Sequence, residues 1–296
     1  MPETQKRPQG IQGSRLPERI LKNGLLHSSI LLLTAIWMLP VLGLLVNSFR
    51  PALEMSDSGW WTALAPPYNF TLENYFDVLF QTAGMGRSFF NSLLIAVPST
   101  LMPILVAAFA AYAIAWLEFK GKIFIFIVMI GLLVVPLQMA LVPLLKIYTA
   151  IEFNGTFHGI WLAHAAFGLP FSVYLLRNFF GNLPQEMFEA ARVDGASHPQ
   201  IFFRILLPTS GPGLGVLVIF QFLWVYNDLL LALVFLGGSP DVAPMPVTIS
   251  NMLTSYGQNW EKLTSASFIS MLLPLIIFLS LQQFFVRGIT AGSIKG

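Results

Sequence analysis

The chain has 296 residues, 55% of them hydrophobic and only 10% charged, far below the charged fraction of about a quarter found in soluble domains. Its formal charge of +2 is too small to suggest nucleic-acid binding, and the absence of cysteine excludes a disulfide framework, a thiolate metal site and a catalytic thiol. Composition thus overrides the one or two soluble domains that length alone would allow, and predicts an all-α, polytopic integral membrane protein.

Residues 1–24 carry Lys6, Arg7, Arg15, Arg19 and Lys22 among scattered Pro and Gly, the composition of a mostly disordered tail. The apolar run from Leu25 to Phe49 is 25 residues long. That is too long for a signal-peptide core, and no small-x-small cleavage site follows it, so it is expected to remain as the first transmembrane helix. Arg50–Arg87 reads as a polar loop whose Trp60, Trp61 and Tyr68 suit a membrane interface. Five further spans are expected at Ser88–Leu117, Ile123–Leu145, Gly155–Leu176, Gly213–Leu236 and Leu263–Val286. The chain divides into a tail (1–24), a first span with its loop (25–87), a core of five spans (88–286) and a C-terminal tail (287–296).

Six spans put both termini on one side. The two tails, the 118–122 turn and the polar stretch 183–208 with its preceding Arg177 hold twelve Lys and Arg residues, whereas the opposite face holds four: Arg50, Arg87, Lys146 and Lys262. Basic loops stay in the cytoplasm, so a multi-pass protein of the cytoplasmic membrane with both termini inside is expected.

The stretch Leu183–Pro208 is a polar island in this apolar chain. Pro184 suits the first position of a helix, and Glu186 and Glu189 in the early turns complement its dipole. Asp194-Gly195 is a stop signal, and Ser197 with Gln200 forms a Ser-x-x-Gln box that starts a second helix. Pro208 and Pro212 punctuate entry to the next apolar segment.

Glu189-Ala190-Ala191, three residues, Gly195, nine residues, Ile205, one residue and Leu207-Pro208 resemble the cytoplasmic coupling loop of ABC importer permeases. The resemblance implies a type I ABC importer permease fold and a helix-turn-helix knob that docks on an ATP-binding subunit. Glu189, Ala190, Ala191, Asp194, Gly195, Ile205, Leu207 and Pro208 would form that knob. Tyr68–Tyr75, Phe89–Leu93, Ala110–Ala113, Asn227-Asp228 and Gly288–Gly296 are similar to the second permease of maltose-type sugar importers. Tyr226 departs from the Trp that often precedes the Asn, and Ser293-Ile294 departs from the tail pattern. Gly59–Leu64 resembles the α-glucoside branch. The group's tail inserts between ATPase subunits, a role the resemblance carries onto Thr290, Ala291, Gly292, Lys295 and Gly296, here read as a thin, flexible end. Implied partners are a second homologous permease, two ATP-binding subunits, an extracytoplasmic sugar-binding protein, a sugar (an oligosaccharide or α-glucoside-like compound) and the bilayer, with no nucleic acid and no cofactor.

The chain encodes no ATPase of its own: no G-x-x-x-x-G-K-[ST] loop, H-E-x-x-H pair or G-x-S-x-G elbow occurs, so neither catalytic nor metal residues are expected. Asp228 is the only carboxylate inside an expected span. With Asn227 it is either a residue of the translocation pathway or a structural contact between helices, and the sequence leaves both open. His158 and His164 lack a ligand cluster and read as packing residues. Three other readings remain: an ABC permease for peptides, amino acids or phosphate, which the loop alone would admit; an ion-coupled secondary transporter, which would carry more intramembrane charges and need no knob; and a membrane enzyme, for which no acid, base and metal constellation is present.

Overall fold

Proline and glycine decide where this apolar chain runs straight and where it turns. The computed structural model describes residues 16–81, 84–255 and 260–293. In chain order the helices are α1 (Leu16–Ser48), α2 (Ala52–Asp57), α3 (Glu73–Phe80), α4 (Met85–Trp116), α5 (Lys122–Val134), α6 (Leu137–Ala150), α7 (Phe157–Gly181), α8 (Gln185–Val193), α9 (His198–Ile201), α10 (Leu207–Thr209), α11 (Gly211–Tyr226), α12 (Leu230–Leu236), α13 (Met245–Ser255) and α14 (Trp260–Ser293). No strand occurs among the described residues. Four helices are long and apolar enough to cross a membrane: α1 from Asn23, α4, α7, and α14 as far as Phe284. Two bent pairs raise the number to six if each counts as one span.

Four expectations are corrected. The third span is no straight helix, because α5 and α6 are bent by 98° at Val135-Pro136. Pro136 has no N–H to continue the ladder and pushes Val135 into extended backbone (φ −69°, ψ 119°). The fifth span stops at Tyr226 and resumes at Leu230, splitting a run that hydropathy reads as continuous. The N-terminal tail is helical from Leu16, and the loops at 50–87 and 237–262 contain α2, α3 and α13. At the other end α14 stays helical through Thr290, Ala291 and Gly292 to Ser293, not a flexible end, while Lys295 and Gly296 lie outside the described residues.

The core is built on α4 and α7, the most extensive helix pair, with α11 packed on both. Residues at helical spacing along α4 (Ser92, Ala96, Ser99, Pro103, Ala107 and Ala111) are buried, whereas Phe90, Leu94, Leu101, Leu105 and Phe109 face outward. Lipid is as apolar as leucine, so small residues matter here because they let backbones approach and dispersion contacts form. Gly168 shows how close the approach is: a Cβ there would lie 2.1 Å from Gln221 Nε2 of α11.

Proline inside α4 creates a backbone debt that α7 settles. Pro98 cannot donate to the Leu94 carbonyl, and Trp161 Nε1 of α7 donates to that oxygen instead, at 2.8 Å. The loop before α13 is held by the N-terminal turns of α4. Arg87 pairs with Asp241, Asn91 Nδ2 donates to Asp241 O and Ala243 O, and Ser92 Oγ accepts from Met245 N.

A second knot ties the end of α1 to α3 and α14. Asn74 Nδ2 donates to Ser48 O and Arg50 O, Ser265 Oγ donates to Ser48 O, and Thr71 N donates to Phe49 O. Ser48 Oγ donates to Leu45 O, so Tyr75 Oη donates to Ser48 Oγ at 2.6 Å. Burial holds the Tyr75 phenol above its ordinary pKa, the Ser48 bond opposing the shift. Arg50, 1% exposed, directs its terminal nitrogens at Asn47 Oδ1, Glu54 O, Ser58 O and Ser58 Oγ, a shell of oxygens that offsets the loss of water around a buried charge.

The glycine contacts make a direct test. A Cβ at Gly159, in the first turn of α7, would lie 2.3 Å from the Phe153 carbonyl oxygen, whereas one at Gly131 in α5 meets nothing within 4 Å. Gly159→Ala is expected to destabilise the protein by about 1–3 kcal/mol through overpacking against fixed backbone, lowering Tm in detergent, while Gly131→Ala leaves Tm unchanged.

Candidate functional site

The polar stretch folds as a helix-turn-helix. α8 ends in a paired hydrogen-bond motif: Ala196 N donates to Ala191 O at 2.9 Å and Gly195 N to Arg192 O at 3.0 Å, a Schellman stop. It needs a left-handed residue, and Gly195 has φ +79°. Ser197 N then donates to Gln200 Oε1 at 2.8 Å, the return half of a capping box, and α9 begins. Helical backbone continues through a π turn at Phe202–Leu206 into α10, and Pro212 opens α11 after a 73° bend at Ser210. Such π turns are concentrated at functional positions.

Apolar residues seat this unit on the ends of α4 and α7. Phe188, Ala191, Ile201, Phe202 and Leu206 are buried in one cluster with Tyr112, Leu176 and Phe180. Trp116 stacks on Phe188 with centroids 4.0 Å apart, and Phe109 on Phe202 at 4.6 Å. Polar contacts fix the angle: Tyr112 Oη meets His198 Nδ1 at 3.1 Å, and Arg192 donates to Trp116 O at 3.3 Å.

The candidate residues fall into two sets. Glu189, Ala190, Asp194, Gly195 and Pro208 are exposed, and Glu189 Oε1 accepts from Gln185 Nε2 at 2.6 Å. Ala191 is turned inward, so its smallness brings α8 close to the chain's own core, and Ile205 and Leu207 are half-buried in the same cluster. Sequence reasoning missed Val193, an apolar side chain 88% exposed at the tip of α8 between Arg192 and Asp194. It also missed Tyr112 and Trp116 as the platform beneath; their only signal was aromatic residues closing an apolar helix next to a charged turn. Thr290, Ala291 and Gly292 lie on the last turns of α14, far along the chain from this cluster, with Lys295 and Gly296 beyond the described residues.

The second candidate site lies where α11 breaks. Asn227 caps α11 and its Nδ2 donates to Leu223 O at 2.8 Å; the residue is exposed. Asp228 Oδ2 accepts from Ala232 N at 3.2 Å, filling one of the open amides at the start of α12. A carboxylate there also complements the helix dipole. His164 of α7, 1% exposed, places Nε2 3.4 Å from Asp228 Oδ2, while its Nδ1–H faces Ile160 O at 3.1 Å and its ring meets Trp224 edge-on. His164 is thus a packing residue with a charge partner, and Asp228 does structural service as a helix cap. The cavity beside them has a volume of about 10 Å³, room for about one water and far too little for a sugar ring. Among the described residues no group of three or more His, Asp or Glu is placed to hold a metal ion.

An all-helical chain with broken spans and a helix-turn-helix seated under its core defines a membrane permease subunit. The chain belongs to the family described as "Binding-protein-dependent transport system inner membrane component", whose pattern matches residues 88–291. The osmoprotective compounds uptake permease protein GgtD of Synechocystis sp. is 52% identical over 273 residues, 91% of each chain. The alpha-glucoside transport system permease protein AglG of Rhizobium meliloti is 54% identical over 242 residues, 80% of this chain and 63% of AglG. The fold is shared with a chain of a bacterial ABC transporter involved in the import of the acidic polysaccharide alginate, at a TM-score of 0.73 and 18% identity over 92% of this chain and 99% of that one.

The two roles of Asp228 separate by substitution. Asp228→Asn keeps an oxygen for Ala232 N and removes only the charge, so Tm in detergent should stay near wild type. Asp228→Leu leaves a helix start open and is expected to cost about 0.5–2 kcal/mol, read as a lower Tm. A loss of transport in Asp228→Asn at unchanged Tm would assign the carboxylate to the pathway.

Proposed function

We propose that this chain is one of two permease subunits of an ATP-driven importer for sugars, and that Leu183–Pro208 is its coupling element toward a separate ATP-binding subunit. The observation that carries the reading is the helix-turn-helix itself. Its inner face is cemented to α4 and α7, while Glu189, Ala190, Val193, Asp194 and Gly195 are presented together at its outer edge. A rigid, small-residue tip carrying carboxylates beside an exposed valine fits a groove with basic and apolar walls. Movement of a partner pressed on that tip reaches the spans through Trp116, Phe188 and Phe202 rather than through a floppy loop.

The chain supplies no chemistry for hydrolysis, so ATP bound to the partner pair must favour one arrangement of the spans over the other. In the proposed cycle, closure of the ATPase pair draws the coupling elements together, the spans rock outward-open, and an extracytoplasmic binding protein delivers the sugar. Hydrolysis restores the inward-open state. The second permease completes a passage along faces such as the exposed side of Asn227. The tail from Thr290 to Gly296 is proposed to touch the ATPase pair, which a helix reaching Ser293 would bring as a rod. Two relatives' names guide the substrate class, one an α-glucoside and the other osmoprotective compounds; an α-glucoside that serves as an osmoprotectant meets both descriptions. Competition of unlabelled α-glucosides, other disaccharides and amino-acid osmolytes against a labelled α-glucoside would order them, and preference for the amino-acid class would overturn the sugar reading.

Two experiments test the assignment of faces and of the knob. The native chain has no cysteine, so single Cys variants report cleanly. An impermeant thiol reagent applied to intact cells should label Ser56→Cys but not Lys120→Cys; the reverse pattern would invert the proposed orientation. For the knob, Glu189→Lys replaces attraction by repulsion at the contact. Gly195→Pro puts a ring that fixes φ near −65° where φ is +79°. Both variants should insert in the membrane but lose co-purification with the ATPase or uncouple hydrolysis from uptake; full association and coupled uptake in both would remove the coupling assignment.

A further inference from the structure

The start of α5 and the end of α7 bring cations together at one end of the membrane-spanning core, and the transport reading makes no use of them. Lys122 is the first residue of α5, and Phe126, four positions on, lies on the same helix face. Arg177, one turn before the end of α7, sets its guanidinium over the Phe126 ring, 4.8 Å from the centroid. The two cations thus stand about one helical turn apart. Phe126 also stacks on the exposed ring of Tyr174, with centroids 6.4 Å apart. The turn before α5 adds the exposed Lys120. Its carboxylate, Glu118, is 2.8 Å from Lys122 Nζ and its side chain is 91% exposed.

Arg177 is the decisive residue. It is half-buried, and its Nε is buried without a hydrogen-bond partner. Its Nη1 donates to Asn178 Oδ1 at 3.3 Å, and among the described residues no carboxylate pairs with it. The Phe126 ring gives it a cation–π contact but no acceptor. A guanidinium partly withdrawn from water lacks the anion that would offset the loss, so this one marks a place that something else completes. Lys122 is open to the same anion, because an ion pair whose carboxylate stands in water is worth little.

The flank of this place is apolar. Ile123, Phe124 and Ile127 of α5 are exposed and lead from the cations along the span. A free anion would have no use for that flank, and a neutral sugar none for the cations. A phospholipid meets both: its phosphate oxygens accept from guanidinium and ammonium, and its acyl chain covers the side of α5. With three cations against one carboxylate, a headgroup of net negative charge is favoured. We propose that the junction of α5 and α7 holds the headgroup of an anionic phospholipid, with Arg177 and Lys122 on its phosphate and the exposed side of α5 along its acyl chain. The site requires a membrane around the chain and stands whether or not the chain carries sugars.

The test is native mass spectrometry of the full chain in detergent, titrated with phosphatidylglycerol and with phosphatidylcholine of the same acyl chains. Phosphatidylglycerol should be retained about fivefold or more better, and raised salt should narrow the difference. Arg177→Gln should cut that preference by about fivefold, with Tm measured before lipid is added as the check on its fold. Glu118→Gln alters an exposed side chain and frees Lys122, so it should raise the preference several-fold. Equal retention of the two lipids by the wild type would leave the cations to some other anion and overturn the proposal. So would a preference that Arg177→Gln does not lower and Glu118→Gln does not raise. Displacement of the lipid by glycerol 3-phosphate at equal concentration would also overturn it, by assigning the cations to a free phosphate.

Discussion

A hydrocarbon layer offers no water to an open backbone group, and that constraint shapes every irregular feature of this chain. Three places where the backbone ladder is interrupted have named partners. Trp161 of α7 takes the Leu94 carbonyl that Pro98 cannot serve. Asp228 takes an amide at the start of α12. Gly195 and Ala196 take the carbonyls at the end of α8. Breaks are therefore not weak points but positions where the chain is fastened, and α7, the central helix of the core, supplies both Trp161 and the His164 that faces Asp228.

The division of labour between small and aromatic residues follows from the same setting. Along α4 the inner face is rich in Ser, Ala and Thr, and close packing there brings α7 and α11 together. Toward the helix-turn-helix that face changes to Tyr112 and Trp116, which stand taller and support α8 and the π turn. One helix thus provides a tight seam along most of its length and a broad platform at its end. The helix-turn-helix is wedged on that platform through Phe188 and Phe202.

The existence and order of the spans were legible because an apolar run of membrane length has few places to go except across a bilayer. The helix-turn-helix at 183–208 was legible in finer detail: Gly195, Ser197 and Gln200 act locally, each within a few residues of its partner. What hydropathy could not register was the break at Asn227–Leu229 or the bend at Val135-Pro136, since leucine and valine score alike in straight and broken helices. Pro136 carried the clue to the second. Long-range partners were beyond reach for a different reason. Nothing near Asp228 in sequence points to His164, and nothing near Asn74 points to Ser48. Ala191 illustrates a subtler limit, for a small residue in a docking motif can face the partner or the chain itself, and only the seating of α8 decides.

The knot at Ser48 bears on how the protein comes into being. Its oxygen is held by Asn74, only 26 positions away, and by Ser265, 217 positions away. Synthesis proceeds from the N-terminus, so α1 emerges before α3 and α14, and its apolar surface is mostly uncovered by the rest of the chain. Asn74 secures it early, but the last bond forms only when α14 has been made. The first and final spans are thus joined in one closing act, and a nascent chain cut short anywhere before residue 265 carries an unfinished clasp by which an incomplete molecule differs from a complete one.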